Sequence, residues 1–288
     1  MYTRTQSKLR KTAPPSHLRV LPSPEVISQR ATDLAPLIKA ILDFKLGQSE
    51  YPEALLEQYP QIKNLNSFSK QVTTQMLRSN SRYQGYKVET KNYLLKPSTL
   101  FLLGTLCGSF DYMNTSPLYG STILDIGCGA LSPYWEENKQ DDLMVQFLND
   151  RPPIRAEVLQ LLGGRITGIE TRPNAKPEYD YQVSYKHRVM PLGELGSWAS
   201  NLSDRFDLIT CLGVLDRYEF SLCYPSPREL TRLFMGLRKI LSPQGLLYAD
   251  IPLIPASPAH RQTNQQIFQQ AGLRIIHAGC CYVLEATP

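Results

Sequence analysis

Ser121-Thr-Ile-Leu-Asp-Ile-Gly-Cys-Gly-Ala130 is the stretch that decides the fold. Thr122 to Ile126 reads as a buried strand ending in a turn with two glycines one residue apart, the way an α/β sheet brings bare backbone up to a ligand. Gly127 and Gly129 are the close-approach points. A dinucleotide site calls for a third glycine three residues further on, so that the next helix can pack closely. That position is Ser132. Asp125, two residues ahead of the first glycine, places a carboxylate at the carboxyl end of the strand, where it can hold a cationic ligand group near the loop.

Downstream the pattern alternates strand and helix, as a parallel sheet with helices on both faces requires. Strands are expected near 122–126, 165–169, 183–189, 206–212, 245–251 and in the last fifteen residues, with helices near 138–150, 154–162, 192–201, 227–241 and 260–271. Upstream the periodicity is helical. Val26, Ile27, Leu34, Leu37, Ile38, Ile41 and Leu42 mark a helix that opens at Pro24 and stops by Gly47. Further helices are expected over 53–59, 62–77 and 97–110, so the first third reads as an α-helical appendage covering one face or edge of the sheet. The second strand, Gly164-Arg-Ile-Thr-Gly-Ile-Glu170, ends in a carboxylate suited to accepting both hydroxyls of a ribose.

Leu124-Asp-Ile-Gly-Cys-Gly129 resembles motif I of the class I S-adenosylmethionine-dependent methyltransferases. Arg205-Phe-Asp-Leu-Ile-Thr-Cys-Leu-Gly-Val-Leu-Asp216 resembles motif IV of the same family, and Leu237 to Asp250 its helix, Leu-x-Pro-x-Gly turn and strand, with Pro243 and Gly245 as turn residues. The resemblance covers about 120–288. It implies a doubly wound, mostly parallel sheet of seven strands (or six), S-adenosyl-L-methionine as cofactor, and methyl transfer to an oxygen or nitrogen atom by in-line displacement. Its cofactor-binding positions map onto Asp125, Gly127, Cys128, Gly129 and Glu170, with the backbone of Cys211, Leu212 and Gly213 bordering the methionine part. Two features depart from the family. Met190 stands where an acid after the third strand often meets the adenine. The link between the last two strands is short, so either a hairpin turns tightly at Ala278-Gly279 or one strand is missing.

An oxygen or ammonium acceptor needs a base. Asp216, after the fourth strand, is the first candidate, with His187 and His260 as alternatives. Tyr83, Tyr86 and Tyr218 offer flat area with a hydroxyl, as substrate pockets do. There is no Asn/Asp-Pro-Pro-Tyr/Phe motif after the fourth strand and no Pro-Cys nucleophile there, which argues against adenine or glutamine amino-methylation and cytosine carbon-5 methylation.

Composition narrows the rest. With 288 residues, 42% hydrophobic and 20% charged, the chain is long enough for one large α/β domain with an appendage. We divide it into a basic tail at 1–23 expected to be disordered, a helical cap at 24–118 and a methyltransferase domain at 119–288. The net charge of +5 comes from Arg4, Lys8, Arg10, Lys11 and Arg19, so the body is balanced. That favours a small-molecule acceptor over the alternatives of a protein or of RNA, for which the tail would supply phosphate contacts. A non-catalytic, methyltransferase-like partner subunit is the rival of another class. No apolar run reaches the roughly 18 residues of a membrane span, and the start has no secretory apolar stretch; the expected location is the cytoplasm. Cys107, Cys128, Cys211, Cys223, Cys280 and Cys281 lack metal or disulfide spacing, so no metal is expected. The oligomeric state is left open.

Overall fold

Period-two burial along the strands sends neighbouring side chains to opposite faces, and both faces are apolar. The computed structural model describes residues 21–43, 59, 65, 67–74, 94, 96–108, 117–129, 153–171, 185–215, 223–224, 226–250 and 258–287. Two helices come first, α1 (Pro24–Asp43) and α2 (Pro97–Cys107). Then follow β1 (Thr122–Ile126), α3 (Ile154–Leu161), β2 (Arg165–Glu170) and β3 (Lys186–Val189). A 3-10 turn (Leu192–Glu194) leads into α4 (Leu195–Asn201), and β4 (Phe206–Cys211) and α5 (Pro227–Ile240) come next. The chain closes with β5 (Leu241–Asp250), α6 (Pro258–Gln270), β6 (Leu273–Ala278) and β7 (Cys281–Ala286).

The strands form one seven-stranded sheet in the order β3-β2-β1-β4-β5-β7-β6. All neighbours are parallel except β7, which runs antiparallel to both β5 and β6. The sheet therefore has seven strands, and the short link is a hairpin whose Gly279 N–H donates to the Cys281 carbonyl at 3.1 Å. β5 starts earlier than the sequence pattern suggests. Leu241 already pairs with Phe206, the ladder is then irregular, and it resumes at Leu246 opposite Leu208. Pro243 and Gly245, read as turn residues, fall on that excursion, Pro243 exposed and Gly245 buried.

Ile123, Ile166, Leu208, Leu246, Tyr248 and Val283 face one core, packed by α1, α2, α3 and by Leu65, Phe68 and Val72. Leu124, Ile169, Ile209, Leu247, Ala249 and Leu284 face the other, packed by α4, α5 and α6. The helices of the first third thus share the sheet's own core. Arg30 of α1 donates to the Thr105 and Leu106 carbonyls at the end of α2, both at 2.9 Å, satisfying carbonyls that a helix end leaves without partners. On the opposite face α5 starts from a capping box in which Ser226 and Glu229 satisfy each other's backbone N–H. Phe268 stands edge-on to Phe234 and Tyr282 with centroids 4.8 and 4.9 Å away, each worth about 0.5–1.5 kcal/mol beyond burial. The order of strands reverses between β1 and β4, and their carboxyl ends open the crevice where ligands of such sheets sit.

Candidate functional site

Register places the residues singled out in the sequence at the carboxyl ends of four adjacent strands. Ile126 lies opposite Ile169 on β2 and Cys211 on β4, and Glu170 opposite Val189 on β3. After β1 the chain turns through Gly127 at φ +71° and Gly129 at φ +78°, which L side chains rarely adopt. A Cβ on Gly127 would lie 2.3 Å from Val214 Cγ2. The turn is pinned sideways: the N–H groups of Gly127 and Cys128 donate to the Ile169 carbonyl at 2.7 and 3.2 Å. On β2, a Cβ at Gly168 would meet Tyr185 at 2.4 Å and Cys128 Sγ at 2.8 Å. The bare backbone at 168 thus makes room for the Cys128 side chain and for Tyr185, whose hydroxyl donates to the Gly129 carbonyl at 3.4 Å.

Asp125 is fully buried and Arg155, on the first turn of α3, is 3% exposed. Arg155 Nε donates to Asp125 Oδ1 at 2.6 Å, and the Thr210 hydroxyl donates to the same oxygen at 2.5 Å. Arg155 Nη1 donates to the Leu212 carbonyl at 2.8 Å, and Nη2 to those of Ile126 and Gly127 at 3.1 and 3.4 Å. Asp125 Oδ2 is buried and has no hydrogen-bond partner among the described residues. Burial pushes the Asp125 carboxyl above the usual aspartate range, while Arg155 and the Thr210 hydroxyl pull against it. The Cys128 thiol is likewise pushed up by burial, with Asp125 and Glu170 adding to the effect.

A second buried carboxylate works from the other side. Asp250, ending β5, accepts the Gly213 N–H, and the Val214 N–H at 3.0 Å. Gly213 has φ +75°. The Leu212–Gly213 peptide is therefore gripped at both ends, its C=O by Arg155 and its N–H by Asp250.

The sequence reading brought Asp125, Gly127, Cys128, Gly129, Glu170, Cys211, Leu212 and Gly213 together, and the structure gathers them at this crevice. Glu170 is 1% exposed, and its carbonyl takes the Met190 N–H at 3.0 Å. Met190 is near by backbone, but its side chain is buried and lines a groove of about 400 Å³ with Arg188, Glu194 and Trp198, between β3 and α4. His187 is on the edge strand β3, two strands from β1. Asp216, Tyr83, Tyr86 and Tyr218 lie outside the described residues, as does the side chain of His260.

Arg155, Thr210, Tyr185 and Asp250 were missed. Asp250 carries the same signal as Asp125 and Glu170, an acid ending a strand, and was findable. Arg155 was not: an arginine in Ile154-Arg-Ala-Glu-Val-Leu looks like a solvated helix position, yet Ile154 to Leu159 are all buried. Among the described residues no group of His, Cys, Asp or Glu is arranged to hold a metal, and no helix is long and apolar enough to cross a membrane.

No family model matches the sequence, and no curated protein matches it. Some solved structures show a partial likeness, at low identity and with TM-scores below 0.5. One is a S-adenosylmethionine-dependent methyltransferase from Clostridium acetobutylicum ATCC 824, 10% identical, with 60% of this chain and 87% of that chain covered and a TM-score of 0.37. Another is a SAM-dependent methyltransferase from Bacteroides fragilis in complex with S-adenosyl-L-homocysteine, 15% identical, covering 60% and 75%, TM-score 0.34. A third is the sugar N-methyltransferase KedS8 from Streptoalloteichus sp ATCC 53650, 13% identical, covering 58% and 81%, TM-score 0.36. The chain itself folds as a seven-stranded sheet with one antiparallel strand and helices on both faces.

Proposed function

We propose that the chain is a S-adenosylmethionine-dependent methyltransferase acting on an oxygen or nitrogen atom of a small molecule. The observation that carries this reading is the crevice at the β1/β4 reversal. There a glycine turn, a strand-end glutamate and a buried aspartate oxygen with no partner among the described residues converge. An orphaned buried acceptor is costly unless a ligand donor completes it, and the donor's α-ammonium is such a group. Glu170 suits the ribose hydroxyls, the bare backbone at Gly127 and Gly129 the close approach, and the gripped Leu212–Gly213 peptide the methionine end. When bound, the cofactor supplies an electrophilic methyl group on a sulfonium.

This chain's own contribution is to hold donor and acceptor at reacting distance and in line, a term that reaches about 7–11 kcal/mol in well-oriented systems. A base for the acceptor's proton is sought in the segment after Val214, with Asp216 as the first candidate. The preference for a small molecule rests on the balanced charge of the body.

The test is competition. S-adenosylhomocysteine should bind the wild-type chain, adenosine should displace it, and Glu170→Gln should lose at least about tenfold in affinity, as expected on removing a charge-assisted hydrogen bond. Equal affinity in Glu170→Gln would remove Glu170 from the site.

A further inference from the structure

Arg155 is the only cation among the buried described residues, against the four buried acids Asp125, Glu157, Glu170 and Asp250. Its place is specific. It enters from α3, which belongs to neither loop of the crevice, and reaches the carbonyls of Ile126 at the end of β1, of Gly127 after it and of Leu212 after β4. A planar guanidinium with five donors can serve a carboxylate and several carbonyls at once, whereas an ammonium is a point charge. Because Arg155 and Thr210 both use Asp125 Oδ1, Oδ2 is left over.

We propose that Arg155 is a positioning residue for the methionine end of the methyl donor: it clamps the loop after β1 to the loop after β4 and takes one oxygen of Asp125, leaving the other for the donor's ammonium. This rests on the function proposed above and deepens it. Charged donors and acceptors in a dry site strengthen one another, so the Leu212–Gly213 peptide, polarised between Arg155 and Asp250, is set in place before any ligand arrives.

The titratable and charged groups facing Asp125 are Arg155 from α3, Glu170 from β2 and Cys128 from the loop, with uncharged Thr210 from β4. Arg155 lowers the Asp125 pKa and burial raises it. Without Arg155 the carboxyl therefore rises further above its ordinary value of about 3.9 and is protonated over a wider range. A protonated Asp125 cannot pair with an ammonium. The sign for stability follows. With the folded pKa raised, the native state binds more protons than the unfolded one, so this group's contribution is present at low pH and lost as pH rises through the folded pKa. Arg155→Met extends that loss to higher pH, so its deficit against wild type shrinks on acidification.

The experiment titrates S-adenosylhomocysteine into the full chain and into Arg155→Met, Arg155→Lys and the double variant Asp125→Asn/Arg155→Met, from pH 6 to 9. Amide hydrogen exchange is followed in segments 122–129 and 208–215 of the ligand-free proteins. We expect Arg155→Met to bind at least about tenfold more weakly than wild type, with a deficit that narrows as pH rises. Arg155→Lys, which keeps the charge, should bind with intermediate affinity and a smaller pH-dependent deficit, and the double variant should regain folding stability without regaining affinity. Exchange should quicken in both segments of Arg155→Met and, to a smaller extent, of Arg155→Lys, which carries the comparison if Arg155→Met does not fold. Wild-type affinity at every pH in Arg155→Met, or unchanged exchange in both segments, would overturn the inference. A wild-type chain that binds no donor or product would instead overturn the proposed function, and with it Arg155's role toward a donor.

Discussion

Asp125 and Asp250 are both buried acids at strand ends, and they hold the two loops of the crevice in different ways. Asp125 answers a cation from a helix 30 residues further along the chain, and keeps one oxygen in reserve. Asp250 takes two backbone N–H groups of the neighbouring strand's loop. The first arrangement ties three elements together through an ion pair; the second clasps two adjacent strands through a carboxylate and two uncharged backbone donors. Burying an ion pair gains little net stability but makes loss of either partner severe. Losing the second acid leaves uncharged donors without an acceptor, a smaller cost. The two acids meet at one peptide, Leu212–Gly213, so the crevice is rigid where the sequence resemblance puts the methionine end of the cofactor.

The difference predicts an order of effects. Asp125→Ala removes the buried carboxylate that pairs with Arg155 and should cost about 3–5 kcal/mol, read as a lower urea midpoint with unchanged slope. A loss under about 1 kcal/mol would mean that the remaining partners of the guanidinium satisfy it, and the two acids would then not differ in kind. Asp250→Ala leaves the Gly213 and Val214 N–H groups without their acceptor and should cost about 1–3 kcal/mol. Asp250→Asn, which retains an acceptor oxygen, should recover most of that if the clasp works through hydrogen bonding rather than charge. Arg274→Ala, on the edge strand β6, removes a pair with Glu285 in which the arginine is 63% exposed. It should move the midpoint by no more than about 0.5 kcal/mol, setting the scale for an ion pair that water already screens.

The elements themselves were legible because their signals are local. β1 was read at its observed ends, α3 and α5 within a residue, and the glycine turn from two residues with positive φ. The start of β5 was not, because Leu241 joins the sheet through a ladder irregularity that no periodicity records. Half of the crevice was legible too, since Asp125 and Glu170 end apolar strands and glycines mark the turn. The other half depends on what packs over it. Arg155 became visible only once α3 was seen to be buried through its whole first half, and Tyr185 only once Gly168 left room for its ring. Long-range contacts of this kind join residues dozens of positions apart, and a one-dimensional pattern has no term for them.

The central claim is that the crevice at the β1/β4 reversal is a donor site. Calorimetric titration of the full wild-type chain with S-adenosylmethionine and S-adenosylhomocysteine tests it most directly. The account predicts saturable one-to-one binding of both in the micromolar range, with slowed amide exchange in 122–129 and 208–215 on binding. Absence of heat and of protection at millimolar ligand would contradict it.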